Sequence, residues 1–265
     1  PGGVAPLIGG AAPDPATALP VIAVPTTAGS GAEVTRGAIV TDVVRHAKEG
    51  VRGDAVFPRV AVIDPELTAT LPPAVAAETA FDALTHVVEG YVARKASPLT
   101  RALSEEALRI LAAHLPELAA GTATARTRER LAFAALLGGL NVANASTCLP
   151  HRLQQAMGAV PRVTLAHARG LAALYPAWLE LATPHAPDAF ARVGAALGDG
   201  DARAAIARHR EALGLTATLA DAGFRTEDLG VLVGAVAGNV ANDPTPEVTR
   251  ETIRELYRAS LQPTP

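Results

Sequence analysis

The feature that most constrains the fold is a change of pattern at Pro72 and Pro73. Before it, short runs of Val and Ile are separated by small-residue loops. "LPVIAVPTT", "TRGAIVTD" (35–42) and "RVAVID" (59–64) each read as a short buried strand. After it, apolar residues recur at helical spacing. Helices are expected at about 74–94, 98–114, 127–149, 168–182, 187–196, 203–222 and 246–262. Pro73 suits the first turn of the first of these. "TPEVTRETIREL" carries two start signals for the last one, with Thr245 cleaner than Thr249. The chain is 49% hydrophobic but only 3% aromatic, so its core must be built of Ala, Leu and Val, which favours helix. Three strands are too few for a doubly wound sheet. The expected fold class is therefore an α/β remnant over 1–72 followed by an all-α domain over 73–265. The opening "PGGVAPLIGGAAPDPATALP" reads as a Pro/Gly/Ala loop from the middle of a protein, so a segment is expected to precede it.

A net charge of −3 gives no reason to expect nucleic acid or an anionic membrane as partner. No run of eighteen apolar residues and no signal-peptide pattern is present, so a cytoplasmic location is expected. The single cysteine, Cys148, excludes an intrachain disulfide and reads as a small buried thiol.

The chemistry begins at "FDALTHVVEG" (81–90). Leu84, Val87, Val88 and Tyr91 make an apolar stripe. Asp82 and His86 fall one turn apart on the opposite face. They are either a polar surface pair or half of a metal site. Of the seven histidines, His46, His114, His185 and His209 read as structural or solvated, His114 as a cation closing a helix. His151 follows Pro150, where a helix must break and restart with Ser146 or Thr147 as cap. His167 sits in the opening turn of an apolar helix, where the dipole opposes positive charge and favours the neutral imidazole that a metal needs. Asp82, His86, His151 and His167 together suit Fe(II) or Zn(II) with an open position. The loop "PTTAGSGAEVT" (25–35) is either an ordinary turn or a close backbone approach to a ligand, with the hydroxyls of Thr26, Thr27, Ser30 and Thr35 available.

These segments together resemble the iron-containing (group III) alcohol dehydrogenase family. "VPTTAGSGAEVT" is similar to its signature loop. "VIDPELTATLPPAVAAETAFDALTHVVEGYVARKASPLTRALSEEAL" is similar to its strand-to-helix crossing and metal helix, and "LADAGFRTEDLGVLV…PTPEVTRETIRELY" to its closing helices. The resemblance implies a dehydroquinate-synthase-like architecture, with 1–72 as the C-terminal part of a dinucleotide-binding domain and 73–265 as a helical metal-binding domain. It places Asp82, His86, His151 and His167 on the metal ligands. It places Thr26, Thr27, Ser30, Thr35, Lys48 and Leu67 at the cofactor, and Val142 and Thr147 in the substrate pocket. Gln155 falls where the family has a histidine that could relay a proton.

What it implies functionally is hydride transfer between NAD or NADP and a primary alcohol or aldehyde, with Fe2+, or Zn2+ in its place, in a homodimer. The alternatives are a polyol or phosphonoacetaldehyde-type reductase, or a non-catalytic metal-stabilised helical domain. A metal-dependent hydrolase would need Glu89 as base. Departures from the family pattern are the absent glycine loop for the pyrophosphate, Ala168 in place of Gly, Gln155 in place of His, Val142 in place of an aromatic, and a longer spacing between His151 and His167 through "GAVPRVTL".

Overall fold

The computed structural model describes residues 17–263. Most of the opening Pro/Gly/Ala loop lies outside the described residues. Two small sheets precede the helices. The strands β1 (Ile22–Ala23) and β4 (Val60–Ala61) pair in parallel, Ile22 against Val60. Between them β2 (Gly37–Asp42) and β3 (Ala47–Arg52) form an antiparallel hairpin, with Thr41 opposite Lys48. The parallel pair is far shorter than its Val/Ile run predicts. Parallel strands are normally buried on both faces, yet Ile22 is 65% exposed and Val60 48%.

The strand β3 is absent from the sequence reading, because "AKEGVR" has no apolar alternation. It forms because its partner β2 and the turn between them dictate it. Asp42 Oδ1 accepts the backbone N–H groups of Val44 and Arg45, and His46 takes a positive φ of 50° to close the turn. His46 is thus a turn residue.

Nine helices follow among the described residues. They are α1 (Pro73–Val92), α2 (Pro98–Ala119), α3 (Ala125–Ala145), α4 (Leu149–Ala156), α5 (His167–Ala182), α6 (Pro187–Ala196), α7 (Ala202–Ala212), α8 (Leu229–Ala235) and α9 (Arg250–Ser260). Their starts are written locally. Ser97 caps α2 in a box with Thr100, and Thr124 caps α3 in a box with Thr127. The helix α9 starts from Thr249, boxed with Thr252, and not from the cleaner-looking Thr245, which is buried.

Several expected bounds move. The helix α2 runs past His114 to Ala119, so His114 is inside it and pairs with Glu117 at 3.2 Å. The expected helix 203–222 stops at Ala212, because Gly214 takes a positive φ of 69°. The expected helix 127–149 is cut at Ser146, which has φ 62° and ψ −171°, a region that side chains avoid. The chain then restarts as α4 with Pro150 in its first turn and Cys148 as N-cap, one residue beyond the expected cap. His209, read as structural or solvated, is structural: it is 5% exposed on α7, and burial pushes its pKa down.

The core sits around α1, which packs on α2, α3, α5 and α6. Trp178, Tyr175, Tyr91, Phe81 and Phe190 are among its largest fully buried side chains. Tyr175 and Trp178 meet at 5.0 Å between ring centroids, and Trp178 and Phe190 at 5.8 Å. The few aromatics of this chain are therefore concentrated where α5 crosses α1.

The loop 28–35 docks on α3 through two glycines. A Cβ on Gly31 would lie 2.4 Å from Gly139 Cα, and one on Gly139 would lie 2.3 Å from Gly31 O. Backbone meets backbone here, and no flexible group can give way. Gly139→Ala is expected to detach this loop or cost about 1–3 kcal/mol through overpacking. Limited proteolysis around residue 30 together with urea denaturation checks it. A variant as stable and as protease-resistant as the parent removes the docking role.

Candidate metal centre

The helix α1 brings its polar residues inside. From Ala80 to Val92 every residue is buried, so the face opposite the apolar stripe is no surface. Asp82 is 7% exposed, His86 6% and the next polar residue on that face, Glu89, 0%. His151 comes from the first turn and a half of α4, and His167 opens α5. Three helices thus converge on four side chains that the sequence reading had singled out.

Asp82, His151 and His167 each offer a ligand atom within 4.8 Å of the others. Asp82 Oδ1 lies 3.4 Å from His167 Nε2 and 3.8 Å from His151 Nε2. His86 joins through His151: their Nε2 atoms are 2.9 Å apart and their rings stack at 4.6 Å. His86 Nδ1 is 3.8 Å from Asp82 Oδ1.

Two of the imidazoles have their outer nitrogens fixed. His151 Nδ1 donates to Glu89 Oε1 at 2.8 Å, and His167 Nδ1 donates to Gln154 Oε1 at 2.5 Å. In both rings Nε2 is left to face Asp82. In contrast, Asp82 Oδ1 and His86 Nδ1 are buried without any hydrogen-bond partner. A buried carboxylate oxygen left unpaired is costly, and a cation among these donors would satisfy it. The donor set, one carboxylate and three imidazoles, fits a divalent transition ion.

The electrostatics carry the same message. Burial penalises the charge on Asp82, but the surrounding imidazoles outweigh it and hold its pKa well below the usual carboxylate range. Burial pushes His86 down to about 4. Burial also opposes charge on His151, but Glu89 and Asp82 override it and raise His151 to about 9. The directions are opposed because burial dominates at His86 while two carboxylates together outweigh it at His151. An N···N contact of 2.9 Å needs one proton between two rings, and His151, flanked by carboxylates, keeps it.

A pH dependence follows for the metal-free chain. His86 has a folded pKa below its unfolded ~6.5, so its contribution is lost as pH falls from there toward about 4. His151 has a folded pKa above its unfolded ~6.5, so its contribution is full below that and is lost as pH rises toward about 9. Stability from this pair should peak near pH ~6.5, which urea denaturation between pH 4 and 9 measures. Monotonic stability across that range would overturn the assignment.

The remaining candidate residues lie at varied distances from this cluster. Lys48, on β3, is half-buried with its Cβ close to Gly158 after α4. Burial lowers its pKa while Asp82 opposes the shift, so it is within electrostatic reach of the cluster. Ser30 Oγ accepts from Ala32 N–H and Thr35 Oγ1 donates to Ala32 O, so both hydroxyls close the turn of their own loop. Thr26 is exposed and Thr27 half-buried, and Leu67 is 41% exposed. Val142 is half-buried near the end of α3. Thr147 is buried, its hydroxyl accepting from Arg152 at 2.7 Å and its carbonyl from Asn242 at 3.0 Å.

Gln155 accepts from Arg152 Nη1 at 3.2 Å. A histidine introduced here would therefore sit beside a guanidinium. Were the chain to turn over an alcohol or aldehyde, Gln155→His would be expected to add one ionisation to kcat/KM below the ordinary histidine value of ~6.5, because Arg152 disfavours its charge. Superimposable pH profiles would reduce the residue to packing.

The sequence reading missed four supporting residues. Glu89 was noticed only as a possible base. It follows Asp82 and His86 on one face at i+7 and i+3, a spacing that could have flagged it. It accepts from Cys148 N–H, His151 and Tyr175. Gln154 carried no signal. Asp243 and Asn242 arrive from a loop more than ninety residues away and hold the start of α4.

A carboxylate and three imidazoles on three helices, beside a small α/β portion, define a candidate divalent-metal site in a helical domain. The family model for the Fe-containing alcohol dehydrogenase family, C-terminal, matches residues 76–261, and that for iron-containing alcohol dehydrogenase matches 3–65. The chain belongs to the iron-containing alcohol dehydrogenase family.

Among relatives, it is 29% identical over 255 residues to the NAD-dependent methanol dehydrogenase of Bacillus methanolicus, covering 92% of this chain and 66% of that protein. It is 31% identical over 264 residues to the lactaldehyde reductase of Escherichia coli K12, covering 95% of this chain and 68% of that protein. The crystal structure of an iron-containing alcohol dehydrogenase from Corynebacterium glutamicum superimposes with a TM-score of 0.83 at 28% identity, over 94% of this chain and 68% of that one. The chain thus spans about two thirds of the length of these relatives.

Proposed function

We propose that the chain is the metal-holding and substrate-facing part of an oxidoreductase that moves a hydride between NAD(P) and a primary alcohol or aldehyde. The observation that carries this is the buried, unpaired Asp82 Oδ1 set among three imidazoles. Family membership and relatives named as alcohol and aldehyde oxidoreductases support it.

Asp82, His86, His151 and His167 would hold Fe2+ or Zn2+. When bound, the ion supplies Lewis acidity toward an alcohol or carbonyl oxygen and the nicotinamide supplies hydride chemistry. The chain's own work is positional. The three helices fix the four donors, burying Asp82, His86 and His151 and leaving His167 on the accessible side. Lys48 on the hairpin places a cation on the side of α4 facing the α/β portion, where a dinucleotide's negative charge would be met. Thr26 and Thr27 precede the glycine-docked loop at 28–35 in the chain. Cytoplasmic location, a homodimer and a small-molecule partner complete the reading.

The test is isotopic. With stoichiometric Fe2+ or Zn2+, deuterium from a 1,1-dideuterated primary alcohol should appear on the nicotinamide, and chelation should abolish the transfer. An ion-loaded chain that binds NAD(P) yet transfers no deuterium would overturn the proposal and favour a metal-stabilised, non-catalytic domain.

A further inference from the structure

We infer that Glu89 is a positioning residue: it fixes which nitrogen of His151 faces the metal centre while it caps the helix that carries His151. The inference rests on the metal reading above.

The helix α4 has no side-chain cap of its own. Its first amides are taken by two carboxylates from elsewhere in the chain. Cys148 N–H donates to Glu89 Oε2 at 2.7 Å, and Leu149 N–H donates to Asp243 Oδ2 at 3.0 Å. Both acids are 0% exposed. They satisfy donors that a helix start otherwise leaves open, and their negative charge suits that end of the helix.

Glu89 differs from Asp243 in what its second oxygen does. Oε1 receives His151 Nδ1 at 2.8 Å, with Tyr175 Oη at 3.3 Å. A carboxylate can only accept, so Nδ1 must carry hydrogen. The lone pair of the ligand form is thereby assigned to Nε2, the nitrogen that faces His86 and Asp82. The same side chain thus sets the entry of α4, the orientation of the ring and its tautomer.

The two roles separate in one substitution. In Glu89→Gln the shape is kept. If the amide oxygen accepts Cys148 N–H, the amide nitrogen faces His151 Nδ1, which must then accept. The ring hydrogen moves to Nε2 and the ligand lone pair is lost. If the amide is turned the other way, its N–H groups oppose Cys148 N–H. Capping and the correct tautomer cannot both be kept.

The experiment titrates Co2+ into the metal-free chain and follows its visible absorption in wild type, Glu89→Gln and Tyr175→Phe. Glu89→Gln is expected to bind about 10–100-fold more weakly and to show a shifted band. Tyr175→Phe, which removes a neighbouring hydroxyl but leaves the tautomer alone, should stay within a few-fold of wild type. Wild-type affinity and spectrum in Glu89→Gln would overturn the inference, as would an equal loss in Tyr175→Phe, which would mark general loosening. Should Glu89→Gln not fold, 15N NMR of zinc-loaded, histidine-labelled wild type decides alone. His151 coordinated through Nε2 with hydrogen on Nδ1 is expected, and coordination through Nδ1 overturns it. Wild type that binds neither Co2+ nor Zn2+ would sink the metal reading itself, whereas binding with indistinguishable variants removes only the role of Glu89.

Discussion

A divalent ion added to the metal-free chain is expected to raise its Tm by about 8–16 °C, and Asp82→Ala is expected to remove the whole of that shift. The magnitude comes from linkage. A ligand that binds only the folded state at ~1,000 times its Kd adds about 4 kcal/mol. Each kcal/mol moves the Tm of a chain of this size by roughly 2–4 °C. Asp82 is the one anionic donor of the four, and its Oδ1 is buried without a hydrogen-bond partner. Paired melting curves with and without Zn2+, together with elemental analysis after mild purification, make the measurement. An Asp82→Ala variant that keeps one ion per chain and the full shift would dismantle the site.

Asp243→Ala is expected to cost about 3–6 kcal/mol of stability, more than a cavity the size of one carboxyl group would explain. The carboxylate is fully buried and accepts three N–H groups: Leu149 N and Trp178 Nε1 on Oδ2, and Thr245 N on Oδ1. Each buried donor left unpaired costs about 1–3 kcal/mol. The damage should not stay local, because Trp178 lies at the centre of the aromatic cluster and Leu149 opens the helix that carries His151. Urea denaturation of the metal-free variant reads the loss. A change below ~1 kcal/mol would mean that water or backbone replaces the carboxylate.

The fold class was largely legible because its signals are local. Pro73 at a helix start and apolar residues at helical spacing both act within a turn or two of chain. Where a bound depended on a backbone angle, the reading failed. The cut after Ala145 turns on Ser146 at φ 62°, which a serine does not advertise. The hairpin strand β3 needed a partner before its polar sequence could be strand at all. The two-residue strands β1 and β4 fell short for the opposite reason. Their sequence favours sheet, but Val60 and Ile22 have only each other to pair with.

By itself the sequence singled out Asp82, His86, His151 and His167 as a candidate donor set, and the family resemblance pointed to the same four residues. It also determined Lys48 as a rare lysine and Cys148 as a lone thiol. It could not decide whether Asp82 and His86 faced water or the interior. One helix shows only that they share a face. What that face meets depends on α4 and α5, which arrive from 62 and more residues further along. The tertiary structure alone decided that they are buried, that His151 and His167 close over them, and that Glu89 and Asp243 hold the start of α4. A hydrogen bond between residues 89 and 148, or 243 and 149, has no periodicity in the sequence. It exists only because a packed core leaves those carboxylates no other partners.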